Sequence, residues 1–372
     1  MALSRFLRFR KRKSAPATRS GRIRLGWNGL APTLEALPDR IVPAVTAFVQ
    51  GANLIVSGDE LDNTITVSRD ASGNLLVNDG AVPIEGGTPT VADTIVIVDG
   101  GSGNDTITFD ETNGPLPTGK LVGGFGNDTI SGGSGDDIFF GGFGNDVLIG
   151  GAGADRFNLG ILFEVGFDVV EGQAGADVVQ FQGSFADDDI AVSADHGRVL
   201  VTGGFIGADA AGVETVEVAA LSGSDTVTVN DLTGTDVTQL NIDLGNFDSQ
   251  PDNLIVNGTA GNDDISVAGD TGIAVKPLGV LLRPGFLSVS GLAAQLNITG
   301  ADSTVDHLTV NGLGGDDTIR ASRLAAGVIQ LTENAGDGDD NLIGSLGDDI
   351  LIGGPGRDVL SGTGGTDTQI QD

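Results

Sequence analysis

The chain has 372 residues, with 61 Gly and 51 Asp or Glu against 19 Lys or Arg, for a formal net charge of −32. It has no Cys, no Tyr and only two His, His196 and His307; this excludes a disulfide framework and a thiolate metal site, and leaves acid–base chemistry short of its commonest side chain. A hydrophobic content of 39% still supports a buried core, unlike the composition of a disordered acidic chain.

Residues 1–44 read as a basic leader, disordered or removed. They hold ten of the 19 basic residues and only two acids, Glu35 and Asp39, which leaves residues 45–372 with a net charge of −40. A body this acidic repels nucleic acid and anionic membrane surfaces and attracts cations. Between "RFLRFRKRK" and "LEALPDRIVPA" the apolar core of a secretory signal is missing. A nucleic-acid-binding arm is the competing reading, but it would be tethered to the acidic body. No run of 18 apolar residues is present, so no transmembrane helix is expected. The most apolar patch, 272–289, is broken by Lys276, Arg283 and two prolines.

From Val45 onward helical periodicity gives way to short alternating runs such as "NLIVSG", "NTITVS" and "DTITFD", each bounded by Gly, Asn or Asp. That is the signature of strands and turns, and its density argues for stacked rungs of a solenoid. Residues 45–99 form a β-rich N-terminal segment. Residues 100–180 hold a first periodic block, whose strict part, 123–158, is four nine-residue units without a gap. Residues 181–334 are less regular, and 335–372 hold a second block. In the middle segment three copies of the same loop stand alone, ending at Asp225, Asp263 and Asp317. They are not nine residues apart, so simple stacking of loop on loop is not expected. Asp225 and Asp263 read as turn residues that bond their own backbone.

Each unit of the strict block has Gly at positions one and four, Asp at six and a large apolar residue at eight: Ile130, Phe139, Leu148 and Phe157. Glycine reaches positive φ cheaply, so the loop can curl with its carbonyls inward. The Asp adds a carboxylate at the end of the curl, and the eighth side chain points into a core. Donors that are all oxygen suit a hard cation such as Ca²⁺, which takes about six to eight oxygens; Zn²⁺ and Cu²⁺ would call for His or Cys.

"GGFGNDTIS", "GGSGDDIFF", "GGFGNDVLI" and "GGAGADRFN" resemble the RTX, or haemolysin-type, calcium-binding nonapeptide. The resemblance implies an all-β fold: a parallel β-roll or β-solenoid with a less regular β-rich middle. Two nonapeptides make a turn, and Ca²⁺ sits between loops stacked eighteen residues apart, held by sixth-position carboxylates and loop carbonyls. Carried onto this chain, Asp128 pairs with Asp146, Asp137 with Asp155, Asp340 with Asp358 and Asp349 with Asp367. Asp105 lies 23 residues before Asp128 across an insertion, outside that spacing. Asp168 and Asp177 are nine apart and fall on opposite sides; Asp105 and Asp177 complete the set of metal candidates. The leader string "LEALPDRIVPA" resembles that of many large bacterial surface proteins, which implies export and trimming near Ala44.

The resulting expectation is an exported, extracellular or cell-surface calcium-binding protein, structural or adhesive and not an enzyme. Its expected partners are calcium ions and cell-surface or matrix components. The alternative is a polysaccharide-active lyase or epimerase on a β-solenoid. "SADHGRVLV", with Asp195, His196 and Arg198, is the one cluster of chemically capable residues, with Lys276 a further candidate base. Its plainer reading is a polar turn before a strand. Ser134 falls within "GGSGD" but at the third position of a loop, which argues against a nucleophile.

Overall fold

The structure, a computed structural model, describes residues 45–92, 94–160, 165–245, 249–275, 280–283 and 285–371. The leader and Lys276 lie outside them. Two long sheets of 16 and 15 strands face each other, and successive strands alternate between them, mostly in parallel register. This is the β-roll or solenoid architecture. Among the described residues no helix is long and apolar enough to cross a membrane.

The alternation in each short strand sends every second residue inward, and rung stacking lines those residues into columns. In the first sheet Val98, Leu121, Phe139, Phe157, Val179, Val216, Leu240 and Leu296 follow one another through paired registers. In the second sheet Ile65, Ile107, Ile130, Leu148 and Val170 do the same. All are buried. Phe139 and Phe157 stack with ring centroids 4.8 Å apart, so the repeat's eighth position is core.

The sheets run without a break through residues 99–100, 180–181 and 334–335. Irregular spacing is absorbed by excursions that leave the rung and return. In one sheet Asp189–Asp195, Arg198–Gly203 and Ile206–Ala211 fold into antiparallel partners and add two strands. Further along, Asp264–Asp270 and Phe286–Ser290 add two antiparallel strands to the opposite sheet. As a result the solitary loops of the middle segment do stack, contrary to the expectation from spacing. The N–H of Asp188 donates to Asp225 Oδ1, that of Asp225 to Asp252, and that of Asp252 to Asp306, at 2.8, 2.9 and 3.0 Å. Sequence separations of 37, 27 and 54 residues each collapse to one rung.

One core position breaks the pattern. Glu333 occupies the inward column between Val310 and Leu351. It is fully buried, and neither carboxylate oxygen has a partner. The apolar core divides there, with Ala335, Leu342 and Leu351 forming a separate cluster. Burial, with Asp349 adding to it, pushes the Glu333 carboxyl up to about 8. A folded-state pKa above the unfolded one gives stability that is present at low pH and lost as pH rises towards it. Glu333→Leu is therefore expected to raise stability by about 1–3 kcal/mol. The gain should grow between about pH 5 and about pH 8; urea midpoints at the two pH values measure it, and an unchanged or lower midpoint would contradict the account.

Candidate metal centre

The loop begins with a steric demand. In "GGFGND" at 123–128 the glycines at the second and fourth positions, Gly124 and Gly126, have φ of +110° and +125°. A Cβ on Gly124 would stand 2.1 Å from the carbonyl oxygen of Gly101 on the rung below, and one on Gly126 1.9 Å from that of Gly103. At these two positions a side chain would collide with the rung below, and glycine meets both the curl and the close stacking.

At the end of each curl the Asp does two things at once. Its Oδ1 accepts the backbone N–H of the Asp one rung earlier. The column Asn63, Asp105, Asp128, Asp146, Asp168 is linked in this way at 2.7, 2.7, 2.7 and 2.9 Å. On the other edge Gly119, Asp137, Asp155 and Asp177 are linked at 2.6, 2.8 and 2.8 Å, and the N–H of Asp177 passes to Glu214 at 2.8 Å. In the second block the N–H of Asp340 donates to Asp358 and that of Asp349 to Asp367, both at 3.1 Å. All four pairs drawn from eighteen-residue spacing thus lie on adjacent rungs. Asp105 and Asp128 do as well; the insertion between them buries Leu116 in the core and is tied down by Glu111, which accepts the N–H of Leu116 at 2.6 Å and the Ser134 hydroxyl at 2.8 Å.

The second oxygen is where the columns differ. Asp105, Asp128, Asp146, Asp155, Asp177 and Asp340 are buried, and their Oδ2 atoms have no hydrogen-bond partner. Such orphaned acceptors are costly inside a protein. Asp137 and Asp349 use both oxygens: Oδ2 of Asp137 accepts the N–H of Gly133 at 3.0 Å, and Asp349 accepts the N–H and hydroxyl of Ser345, each at 2.6 Å. Asp358 and Asp367 are half-buried.

At Asp105, Asp128, Asp155 and Asp177 the orphaned Oδ2 lies close to a carbonyl oxygen of the next rung. The space where a Cβ of Gly123 would sit is 2.3 Å from Asp128 Oδ2 and 2.4 Å from the Gly141 carbonyl oxygen, and at Gly150 the distances to Asp155 Oδ2 and the Gly172 carbonyl are 2.3 and 2.8 Å. Among the described residues no three His, Cys, Asp or Glu side chains converge, so main-chain carbonyls must supply most ligands to any ion here. A donor set of one or two carboxylates plus carbonyls fits Ca²⁺.

Burial raises the Asp128 and Asp155 carboxyls to about 7 and that of Asp146 to about 6. The backbone N–H each accepts works in the opposite direction, and neighbouring carboxylates add to the rise at Asp128 and Asp155. Without a counter-ion these groups hold their protons to higher pH than an ordinary carboxyl does.

The RTX calcium-binding nonapeptide repeat family matches this chain in four copies, over residues 97–113, 122–157 and 334–369. The chain carries RTX calcium-binding repeats. No curated protein matches it. The RTX repeats make it a calcium-binding β-roll repeat protein, with Ca²⁺ as the cofactor.

The cluster around His196 does not assemble into a site. Asp195 and Arg198 face each other across a tight turn in which His196 and Gly197 have φ of +51° and +84°. The His196 side chain is 92% exposed and contacts only Asp195 among the pairs formed there. Arg198 is held by Asp209 at 2.7 Å and Glu171 at 2.8 Å and also donates to two backbone carbonyls. Glu214, which ends one carboxylate column, has no repeat motif around it; only its place in the rung identifies it.

The carboxylates give a pH test with opposite signs. In chelator, folded pKa values above the ordinary carboxylate value mean that stability of the roll falls as pH rises from about 4 to about 7. In millimolar Ca²⁺ the ion takes the deprotonated form, so stability rises over that window. Thermal midpoints in the two buffers measure both slopes, and parallel slopes would contradict the assignment. Gly123→Ala, which fills the oxygen-lined space, is expected to weaken Ca²⁺ binding at least tenfold by calorimetry, while Gly51→Ala, at a position with no atoms within 4 Å of the added methyl, leaves binding unchanged.

Proposed function

We propose that the protein is exported and works outside the cell as a calcium-stiffened structural or adhesive element, without catalytic activity. The supporting observation is the row of buried carboxylate oxygens lacking partners beside loop carbonyls, repeated on rung after rung. A body of net charge −40 would repel itself, and bound cations would neutralise part of it. The basic leader with its surface-protein-like string supports export and trimming near Ala44. The proposed ligands are Asp128, Asp146, Asp155 and Asp340 with Asp105 and Asp177, whose Oδ2 atoms are open. Asp358 and Asp367 complete the pairs at the half-buried end, and Asp137 and Asp349, paired by spacing with Asp155 and Asp367, would have to release the N–H groups of Gly133 and Ser345 to join. The polysaccharide-active alternative has weaker support, because Arg198 is committed to two carboxylates.

Calcium that binds only the folded roll adds its binding free energy to stability, about 2.7 kcal/mol at a hundredfold excess over Kd. The full chain is expected to gain β signal in far-ultraviolet circular dichroism as Ca²⁺ rises through about 0.1–1 mM, the range of extracellular modules, while native mass spectrometry counts several bound ions. Equal β content in chelator and in millimolar Ca²⁺ would sink the coupling between metal and fold.

A further inference from the structure

Whether a loop leaves its carboxylate open follows from the backbone of its second residue. At Gly101, Gly124, Gly142, Gly151 and Gly336 that residue has φ between +100° and +116°. The sixth-position partners, Asp105, Asp128, Asp146, Asp155 and Asp340, keep an unpartnered Oδ2. At Gly133, Ser184, Thr259 and Ser345 the second residue is not in the left-handed region. Its N–H then closes onto Oδ2 of the Asp four residues on, at 3.0 Å for Asp137 and 2.6 Å for Asp188, Asp263 and Asp349. The second group has capped itself; the first has an oxygen to give to a ligand.

The loop 312–317 belongs to the first group although it lies outside the matched repeats. Its second residue is Leu313, at φ +78°, a conformation that a residue with a Cβ rarely adopts. Asp317 is 2% exposed. Its Oδ1 accepts the N–H of Asp263 at 2.8 Å, and its own N–H donates to Asp340 at 2.7 Å. Its Oδ2 is buried without a partner. The Cβ position of Gly312 is 2.2 Å from that Oδ2 and 2.4 Å from the Ala335 carbonyl oxygen. At Gly123, inside the strict block, the equivalent distances are 2.3 and 2.4 Å.

We infer that the loop 312–317, outside the matched repeats, and the loop 335–340, the first of the second block, hold a divalent cation of the calcium type between them, with the Asp317 carboxylate and the Ala335 carbonyl among its ligands. The inference rests on the calcium reading of the repeats. The cation sits where a 54-residue excursion, from Asp263 to Asp317, returns to the stack. It ties the irregular middle segment to the second block and extends calcium dependence beyond the nonapeptides. The neighbouring loop 258–263 is excluded by its own geometry, since the N–H and hydroxyl of Thr259 already occupy Asp263 Oδ2 at 2.6 and 3.1 Å.

The test is anomalous diffraction from crystals of the wild-type full chain in Ca²⁺, together with ion counting by native mass spectrometry. The expected result is a peak within about 2.6 Å of Asp317 Oδ2 and none at Asp263. Asp317→Asn is expected to bind one ion fewer than wild type, Asp263→Asn the same number, and Leu313→Gly the same number with a higher thermal midpoint. Peaks at Asp128 and Asp146 without one at Asp317 would overturn this inference and leave the repeat reading intact. No peak at any of these carboxylates would overturn both. Should Asp317→Asn fail to fold, the wild-type diffraction decides alone.

Discussion

The structure depends on a carboxylate that serves two masters. One oxygen of each sixth-position Asp caps the backbone of the preceding rung, so the column cannot form unless the Asp is buried at the turn. Burial then denies the other oxygen its water. Glycine makes the stacking close enough for the cap, and the closeness brings loop carbonyls to the second oxygen. A cation is the one ligand that satisfies a carboxylate and several carbonyls together. The contacts that close the stack are thus the ones that bring loop carbonyls beside the open oxygen.

The strict blocks were legible in the sequence because their chemistry is local. Glycine, carboxylate and hydrophobe recur at fixed positions, and the structure places Ile130, Phe139, Leu148 and Phe157 in the core as the period requires. The middle segment is not legible in the same way, because spacing along the chain there is not spacing in the stack. Asp252 and Asp306 are 54 residues apart yet adjacent, since antiparallel hairpins carry the intervening residues aside. A second distinction was hidden for another reason. "GGFGND" and "GGSGDD" look equivalent, but Gly124 is left-handed and Gly133 is not, and nothing in a glycine's identity says which side of zero its φ will take. At Ser345 the sequence does hold a clue: a hydroxyl at the second position can reach the Asp and close the loop.

The same reasoning separates two kinds of buried acid. The loop carboxylates lie beside other oxygens and gain from a cation. Glu333 stands in a column between the aliphatic side chains of Val310 and Leu351. Its burial is a cost to the core, placed where the apolar interior divides in two.

The two antiparallel excursions have a joint consequence. Two extra strands on one sheet alone would slide that sheet about 9–10 Å past its partner along the stacking axis. Every loop beyond that point would then face the wrong rung. The second excursion adds two strands to the opposite sheet and cancels the offset, so the second block resumes in step with the first. The pair therefore behaves as a matched gain and loss of phase. A lineage could acquire or shed both together with the roll intact, whereas loss of either one alone would leave the two edges of the roll counting different numbers of rungs.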